Sequence, residues 1–438
     1  MQIKTFYKSL FIFTSLLLVT RELNAQDANV VPPSNDGDTV LSSIGKLQSD
    51  VAILKRVKIS GYIQPQYQQI DSSGAATFAG GDFPSGVNKR FRVRRAEIKT
   101  MYDNGRTQIV ANIDITQSGV NIKDAYGRFT EQKWQAISFT AGVFNRPFGY
   151  ECPTSSSLLE SPDRSRMVQQ LFPGERDLGM MFTFQMPVSS KLHPLKLEAG
   201  MFNGNGNASA QDYDFQKDFI SHLTWVSATK NEKIAYGLGA SIYSGGIVNA
   251  TKKVNSIETL ANGNLGWKVD STSTNKGHAS VRQYIGLDGQ FSITTPLGIT
   301  SIRGEFITGE QPGSASSSKS PDKQAATPTA DTYKRQLMGF NVYFLQGIWH
   351  TKNQLVLKYD MYDPNTQVTG KDIGKTGAGL TQADIAYTTL GIGWVYHWDN
   401  NVKITAYYDI VKNENTVLAG YTRDVLDNVF TLRVQYKF

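Results

Sequence analysis

Sixteen stretches in which apolar and polar residues alternate constrain the fold of this 438-residue chain more than any other feature. Successive side chains on a β-strand point to opposite faces, so each stretch has one apolar and one polar face. The last nine residues, Phe430 to Phe438, alternate without interruption. The predicted strands are 57–70, 89–101, 106–116, 120–130, 135–145, 177–187, 194–203, 217–229, 234–248, 281–293, 298–309, 334–349, 354–363, 383–397, 401–412 and 424–438.

The links between these stretches alternate in length along the chain. Links after odd-numbered strands are mostly long, with 117–119 as the exception, whereas links after even-numbered strands are short turns such as Asp103–Gly105. Bacterial outer-membrane barrels combine long external loops with short periplasmic turns, and a soluble β-sandwich has no reason to do so. The sequence therefore predicts an all-β fold over residues 57–438, a 16-stranded antiparallel transmembrane β-barrel in the bacterial outer membrane.

The residues before the barrel divide into three segments. Residues 1–25 contain a basic start, an apolar run at Leu10–Val19 and a small residue before Gln26, which predicts a secretory signal peptide. Its removal would lower the net charge from +7 to about +5. Residues 26–37 are predicted to form a linker, and residues 38–56 a short periplasmic helix.

A heptad pattern supports this helix. Apolar residues recur at alternating spacings of four and three over about two heptads, fewer than a firm coiled-coil assignment needs. The helix either joins copies of the chain in a coiled coil or packs as an amphipathic helix against its own barrel. The apolar positions are Val40, Ile44, Leu47, Val51 and Leu54.

The second predicted strand has the strongest charge bias. Phe91 and Val93 share one face, but the apolar parity shifts by one residue after Arg94 and Arg95, which predicts a β-bulge. The apolar face then stays towards lipid, where an arginine at mid-depth would cost about 2–4 kcal/mol. The side chains predicted to face the lumen are Arg90, Arg92, Arg94 or Arg95, Glu97 and Lys99.

A column of guanidinium groups in a channel attracts anions, and the planar fork of arginine suits phosphate. The alternative is that these arginines pair with acids on neighbouring strands, such as Asp114 and Asp124, in a structural network. The predicted pore-lining, anion-binding residues are Arg90, Arg92, Arg94, Arg95, Lys99, Arg128, Arg303, Lys358 and Arg433.

The third external link, residues 146–176, is long and contains apolar residues that need burial. It is predicted to fold into the barrel and narrow the lumen; the alternative is packing on the outer rim or against a neighbouring protomer. The apolar residues are Leu158, Leu159, Met167, Val168, Leu171 and Phe172. The predicted constriction residues are Arg146, Arg164, Arg166 and Arg176.

Other classes of function have little support. None of the five histidines forms a pair with metal-ligand spacing, and Cys152 is the single cysteine. No nucleophile or phosphate-loop motif stands in a strand–helix setting. No enzymatic activity, metal or cofactor is therefore expected. The export signal and the barrel pattern also oppose a nucleic-acid partner.

Several motifs together resemble the phosphate-selective porin O and P family. The motifs are Ser60–Tyr67, Phe91–Ala96, Ala141–Glu151, Arg303–Phe306, Lys358–Asp360, Asp363–Asn365 and the terminal Phe438. The resemblance implies a trimeric outer-membrane porin with a constricting third loop, an arginine ladder and lysines at the pore entrance and exit. It also implies that the terminal aromatic residue contacts the outer-membrane assembly machinery. The N-terminal heptads resemble versions of the family from Bacteroidetes-type bacteria.

The expected function is that of a passive porin in the lipid bilayer. Sixteen strands leave a water-filled lumen, and the second strand would favour small, phosphate-like anions, possible solutes being phosphate and polyphosphate. A homotrimer is the expected assembly. The alternative function is a non-conducting barrel that acts as a structural or adhesion platform through its external loops.

Overall fold

The computed structural model describes residues 36–206, 212–319 and 329–438. The predicted signal peptide and nearly all of the predicted linker lie outside the described residues. The chain divides into an N-terminal unit that ends at Lys55 and a large unit from Arg56 to Phe438.

The described part of the N-terminal unit is one helix, α1 (Asp36–Leu54). Ile44, Leu47, Val51 and Leu54 of the heptad stripe all have exposed side chains. The oligomeric role of this stripe stays a prediction. None of the helices in the described ranges is long and apolar enough to cross a membrane.

The large unit is a closed barrel of sixteen antiparallel strands, which confirms the predicted fold. An additional pair of short strands, β10 and β11, forms an external hairpin between β9 and β12. The strands are β1 (Val57–Ile70), β2 (Lys89–Asp103), β3 (Thr107–Thr116), β4 (Gly119–Thr130), β5 (Ile137–Asn145), β6 (Arg176–Gln185), β7 (Leu195–Phe202), β8 (Asp218–Ala228), β9 (Ile234–Val248), β10 (Val254–Thr259), β11 (Leu265–Asp270), β12 (Ala279–Thr295), β13 (Gly298–Gly313), β14 (Thr332–Gly347), β15 (Asn353–Asp363), β16 (Tyr387–His397), β17 (Val402–Asn413) and β18 (Val429–Lys437).

The first and last strands close the barrel. Tyr62 of β1 lies opposite Lys437 of β18, and two backbone hydrogen bonds of 3.1 and 3.0 Å join Gly61 and Phe438. The alternation at the end of the chain has the predicted orientation. Thr431, Arg433 and Gln435 are buried on the lumen side, whereas Phe430, Leu432 and Tyr436 are exposed on the outer wall. An outer wall of exposed apolar side chains is what contact with lipid requires.

The β-bulge predicted in the second strand is present. Ile63 of β1 pairs with Ala96 of β2, but the next pair joins Pro65 to Val93, so β2 has one additional residue at Arg94–Arg95. Because of this step, both arginine side chains reach the lumen, rather than one of the two.

The hairpin of β10 and β11 lies where the sequence predicted only an external loop, residues 249–280. Its strands have six residues each, too few for an alternation to stand out. The hairpin is stabilised by residues that are distant in sequence. Trp267 packs in an apolar cluster with Ile373, Leu380 and Ile385 from the link between β15 and β16. Sequence periodicity alone does not report such a partner.

Candidate functional site

The link between β5 and β6, residues 146–175 and here named loop 3, folds into the barrel as predicted. It contains the short helix α2 (Arg166–Leu171). Met167, Val168, Leu171 and Phe172 are fully buried, but Leu158 remains exposed. They pack against inward-facing side chains of the wall, among them Tyr243, Tyr284, Ile307, Leu337 and Tyr362. Loop 3 therefore occupies the lumen on the side of β9 to β15.

On the opposite side of the lumen, loop 3 is attached through Asp163. Its carboxylate lies 2.7 Å from Nη2 of Arg95, 2.8 Å from Nη2 of Arg94 and 3.3 Å from Nη2 of Arg433. Burial alone would raise the pKa of this carboxyl, but the three guanidinium groups hold it well below its usual range. One negative charge thus faces three positive charges.

A second ionic attachment lies at the end of loop 3. Glu175 accepts from Arg164 at 2.8 Å and from Arg176 at 2.9 Å, and Arg176 also contacts Asp124 of β4 at 3.1 Å. Burial opposes ionisation of Glu175, but Arg164 and the neighbouring Lys123 and Arg176 lower the pKa of its carboxyl overall. These two predicted constriction arginines are therefore held in ion pairs that fix the loop.

A third attachment joins loop 3 to β13. The backbone N–H groups of Tyr150 and Glu151 donate to the Glu305 carboxylate at 3.1 and 3.3 Å. Gly149 precedes them with φ +61°, and a Cβ atom there would collide with Oε1 of Glu305. The glycine allows the loop backbone to approach the carboxylate this closely.

The wall formed by β17, β18, β1 and β2 carries a lumen-facing group of basic residues, here named the basic strip, which come from β2, β17 and β18. Lumen-facing acids on these strands include Glu97 and Asp409, so basic groups are in excess. Arg90 donates to the carbonyl of Gly81 and Arg92 to that of Gly80, both at 2.6 Å, and neither forms an ion pair with a described residue. The basic strip consists of Arg90, Arg92, Arg94, Arg95, Lys99, Lys403, Arg433 and Lys437.

The remaining predicted pore-lining residues are spread around the lumen. Lys99 and Arg128 line a cavity of about 200 Å³ beside loop 3. Arg303 pairs with Glu160 of loop 3, and buried Lys358 pairs with Asp360 at 3.1 Å. The charges of Arg303 and Lys358 are therefore neutralised by acids, as expected if these residues belong to a structural network of ion pairs.

The other two predicted constriction residues also differ from each other. Arg146 is enclosed, and its Nη2 donates to the carbonyl of Pro173 at 3.2 Å, so it supports the loop from within. Arg166 lies between the rings of Phe78 and Tyr387, 4.4 and 3.6 Å from their centroids, and faces an external cavity.

Sequence reasoning did not single out Asp163 or Lys403. Asp163 is one of four acids in loop 3, and its partners lie on β2 and β18. Lys403 lies at the start of a strand with ordinary alternation, yet its Nζ donates to the Leu159 carbonyl at 2.9 Å. Among the described residues, no group of three or more His, Cys, Asp or Glu could hold a metal ion.

Comparison with protein-family models and with curated proteins gives no match in either case. Solved structures do match: the chain is similar to the outer membrane channel DcaP of Acinetobacter baumannii, with TM-score 0.50, 10% identity and coverage of 87% of this chain and 97% of that one. OmpF of Salmonella typhi and OmpT of Vibrio cholerae give TM-scores of 0.47 and 0.45, both at 10% identity, with the same coverage of 87% and 97%. The similarity to DcaP shows that the chain has the β-barrel fold of an outer membrane channel.

Proposed function

We propose that this porin-like outer-membrane barrel is a passive, water-filled channel that prefers small anions of the phosphate type. The observation that carries the proposal is the contact of Arg94, Arg95 and Arg433 with the single carboxylate of Asp163. Three guanidinium groups therefore share one contacting carboxylate, and positive charge is in local excess where loop 3 meets the wall. The basic strip continues this excess towards both ends of the lumen.

The strip would pass anions in steps. Arg92 uses one donor on a loop carbonyl and can offer the others to an anion. Arg90 uses most of its donors on the Gln68 side chain and on loop carbonyls, so it contributes mainly its charge. Several moderate sites in a row favour conduction, because an anion that bound tightly at one site would not leave it. No bound cofactor and no chemical step enter this mechanism.

Loop 3 does not add to the positive excess, because residues 146–175 contain three arginines and four acids, and Lys358 of the wall is neutralised by Asp360. The basic strip therefore supports a preference for anions as a class rather than for one ion. Phosphate is the favoured solute within the class because guanidinium forks match its geometry. Sulfate and chloride are the natural comparison ions.

Single-channel recording of the purified protein in a planar bilayer tests this function. In a KCl gradient we expect an ohmic conductance with a reversal potential of the anion-selective sign. A cation-selective sign would contradict the anion preference. A folded protein without conductance would instead favour the non-conducting platform.

We infer a homotrimer as the assembly. The exposed heptad stripe of α1 supports association of copies, because an uncovered apolar stripe is unfavourable in water. The exposed ring of Phe438 at the chain end suits recognition by the outer-membrane assembly machinery. Native mass spectrometry of the full chain tests the assembly state.

A further inference from the structure

A cavity of about 470 Å³, here named the vestibule, opens at the external end of the barrel. Its walls come from the link after β1, from helix α2, and from the links after β13, β15 and β17. Its volume is in the range of small-molecule sites. The residues on which the argument depends are Arg166, Gln170, Ile385, Tyr421, Val425 and Asp427.

The guanidinium group of Arg166 forms no ion pair with a carboxylate of the described residues. It is stacked between the rings of Phe78 and Tyr387, and its Nε has no hydrogen-bond partner in the described part of the chain. Aromatic faces stabilise a cation and fix its orientation, but they do not neutralise its charge. Arg166 therefore presents an oriented positive charge to the vestibule.

Asp427, in the link after β17, supplies a negative charge to the same cavity. It is 5% exposed, it forms no ion pair with a described residue, and its Oδ1 has no hydrogen-bond partner among them. Burial raises the pKa of its carboxyl to about 6, although Arg166 opposes the rise. At neutral pH the carboxyl is mostly ionised, so Arg166 and Asp427 place opposite charges in one cavity without contacting each other. Asp82 and Lys319 also line the cavity and add one further charge of each sign.

We propose that the vestibule is a binding site for small zwitterions, namely free α-amino acids or short peptides. The ligand carboxylate would bind Arg166, and the ligand ammonium group would bind Asp427. An apolar side chain would pack against Tyr421, Ile385 and Val425, and the Gln170 amide would add a hydrogen bond. The site is additional to the proposed anion pathway and does not depend on it.

The arrangement favours a zwitterion over other small solutes. Inorganic phosphate would be attracted by Arg166 but repelled by Asp427. A neutral sugar would leave both charges without an opposite charge. A zwitterion satisfies both, and each charge-assisted hydrogen bond is roughly twice as strong as a neutral one.

The vestibule lies next to the part of loop 3 that contacts the barrel wall. Arg166 and Phe78 line a narrower crevice as well, together with Asp163 and Lys358. A ligand bound in the vestibule would therefore be held next to the attachment point of loop 3. Capture there would concentrate the solute at the constriction.

Isothermal titration calorimetry of the full-length protein in detergent tests the site without requiring conductance. The probes are L-phenylalanine, 3-phenylpropionate, which lacks the ammonium group, and 2-phenylethylamine, which lacks the carboxylate. We expect L-phenylalanine to bind roughly tenfold or more tightly than either analogue, since each loses one charge-assisted contact. Inorganic phosphate and glucose serve as the other solute classes.

Two substitutions on different links separate the two contacts. Asp427→Asn should lower L-phenylalanine affinity to that of 3-phenylpropionate and leave 3-phenylpropionate itself no weaker. Arg166→Gln should lower the affinity for L-phenylalanine to that for 2-phenylethylamine and leave 2-phenylethylamine binding no weaker. Arg423→Gln, an exposed change in the same link as Asp427, is the matched control and should bind like the wild type.

Equal affinity of the wild type for all three probes would overturn the proposal, as would tighter binding of phosphate or glucose. Binding of L-phenylalanine that survives Asp427→Asn unchanged would also overturn it, and this holds even if Arg166→Gln fails to fold. A protein that binds the zwitterion but carries no current would contradict the channel function alone.

Discussion

The Asp163 carboxylate of loop 3 lies 2.7 Å from Nη2 of Arg95, within the β-bulge of β2. This contact joins a loop and a strand on the side of the lumen away from the apolar cluster around Phe172. Loop 3 is thus held from two directions, by apolar packing on one wall and by ion pairs on the other. A loop held in this way has a fixed position in the lumen, and the proposed selective channel requires a constriction of fixed width.

Asp163→Asn should loosen loop 3 and increase anion selectivity together. Removing one partner of a buried ion pair costs about 3–5 kcal/mol, because the remaining charges stay buried and unpaired. The same change leaves three arginines without a carboxylate. We expect a lower thermal unfolding midpoint by circular dichroism and a reversal potential shifted further towards anions. Asp270→Asn removes an exposed acid of the external hairpin and is the control.

Arg92→Gln should weaken the anion preference with little change in stability. Arg92 has one hydrogen bond to a loop carbonyl and no ion pair among the described residues, so its loss disturbs few contacts. The reversal potential in a KCl gradient should move towards zero. Lys268→Gln, an exposed change in the external hairpin, should leave it unchanged. If both variants shift the potential equally, the basic strip does not set the selectivity.

The ionic attachments of loop 3 should resist acid. The pKa of Asp163 is lowered below its usual 3.8 and that of Glu175 below its usual 4.5, because arginines outweigh the effect of burial. Their stabilisation is present above these ordinary values and is lost as pH falls through the lowered ones. We expect the protease resistance that these two ion pairs give to loop 3 to stay constant from about pH 6 to about pH 4. A transition near pH 5 would contradict this.

The strands could be predicted because their determinants are local. The alternation of apolar and polar residues, the turn residues and the shift of the apolar face at Arg94–Arg95 can each be recognised within a short stretch of sequence. The inward fold of loop 3 could be predicted because its apolar residues need burial. The partners of the arginines could not be predicted. Asp163 contacts strands that are far apart in sequence. The number of charges in a loop does not show which acid is buried against several arginines and which is exposed to solvent. The hairpin containing Trp267 was missed for the same reason, since its packing partners lie in another link.

The heptad stripe of α1 should determine the oligomeric mass if it joins copies of the chain. Leu47→Glu together with Leu54→Glu places charges on the exposed stripe, and we expect smaller assemblies in native mass spectrometry. Ile53→Glu is a matched control, because Ile53 is equally apolar and exposed but lies off the stripe. Unchanged mass in the double variant would assign assembly to the barrel alone.

Gly149→Ala should release loop 3 from β13. The residue has φ +61°, where a side chain costs roughly 1–2 kcal/mol, and its Cβ would collide with the Glu305 carboxylate. Relief of the collision requires Glu305 to give up the N–H groups of Tyr150 and Glu151. Those groups would then be buried without partners, at a further cost of about 1–3 kcal/mol each.

We therefore expect a lower thermal unfolding midpoint for this variant, and faster proteolysis within loop 3 than in the wild type. Gly127→Ala on β4 is the control, since its Cβ would meet open space and its backbone is not in the left-handed region. The attachment to β13 is separate from the ion pairs at Asp163. For that reason the Gly149 variant should alter loop stability while leaving the sign of the ion selectivity unchanged, and a reversed sign would show that the two attachments act as one unit.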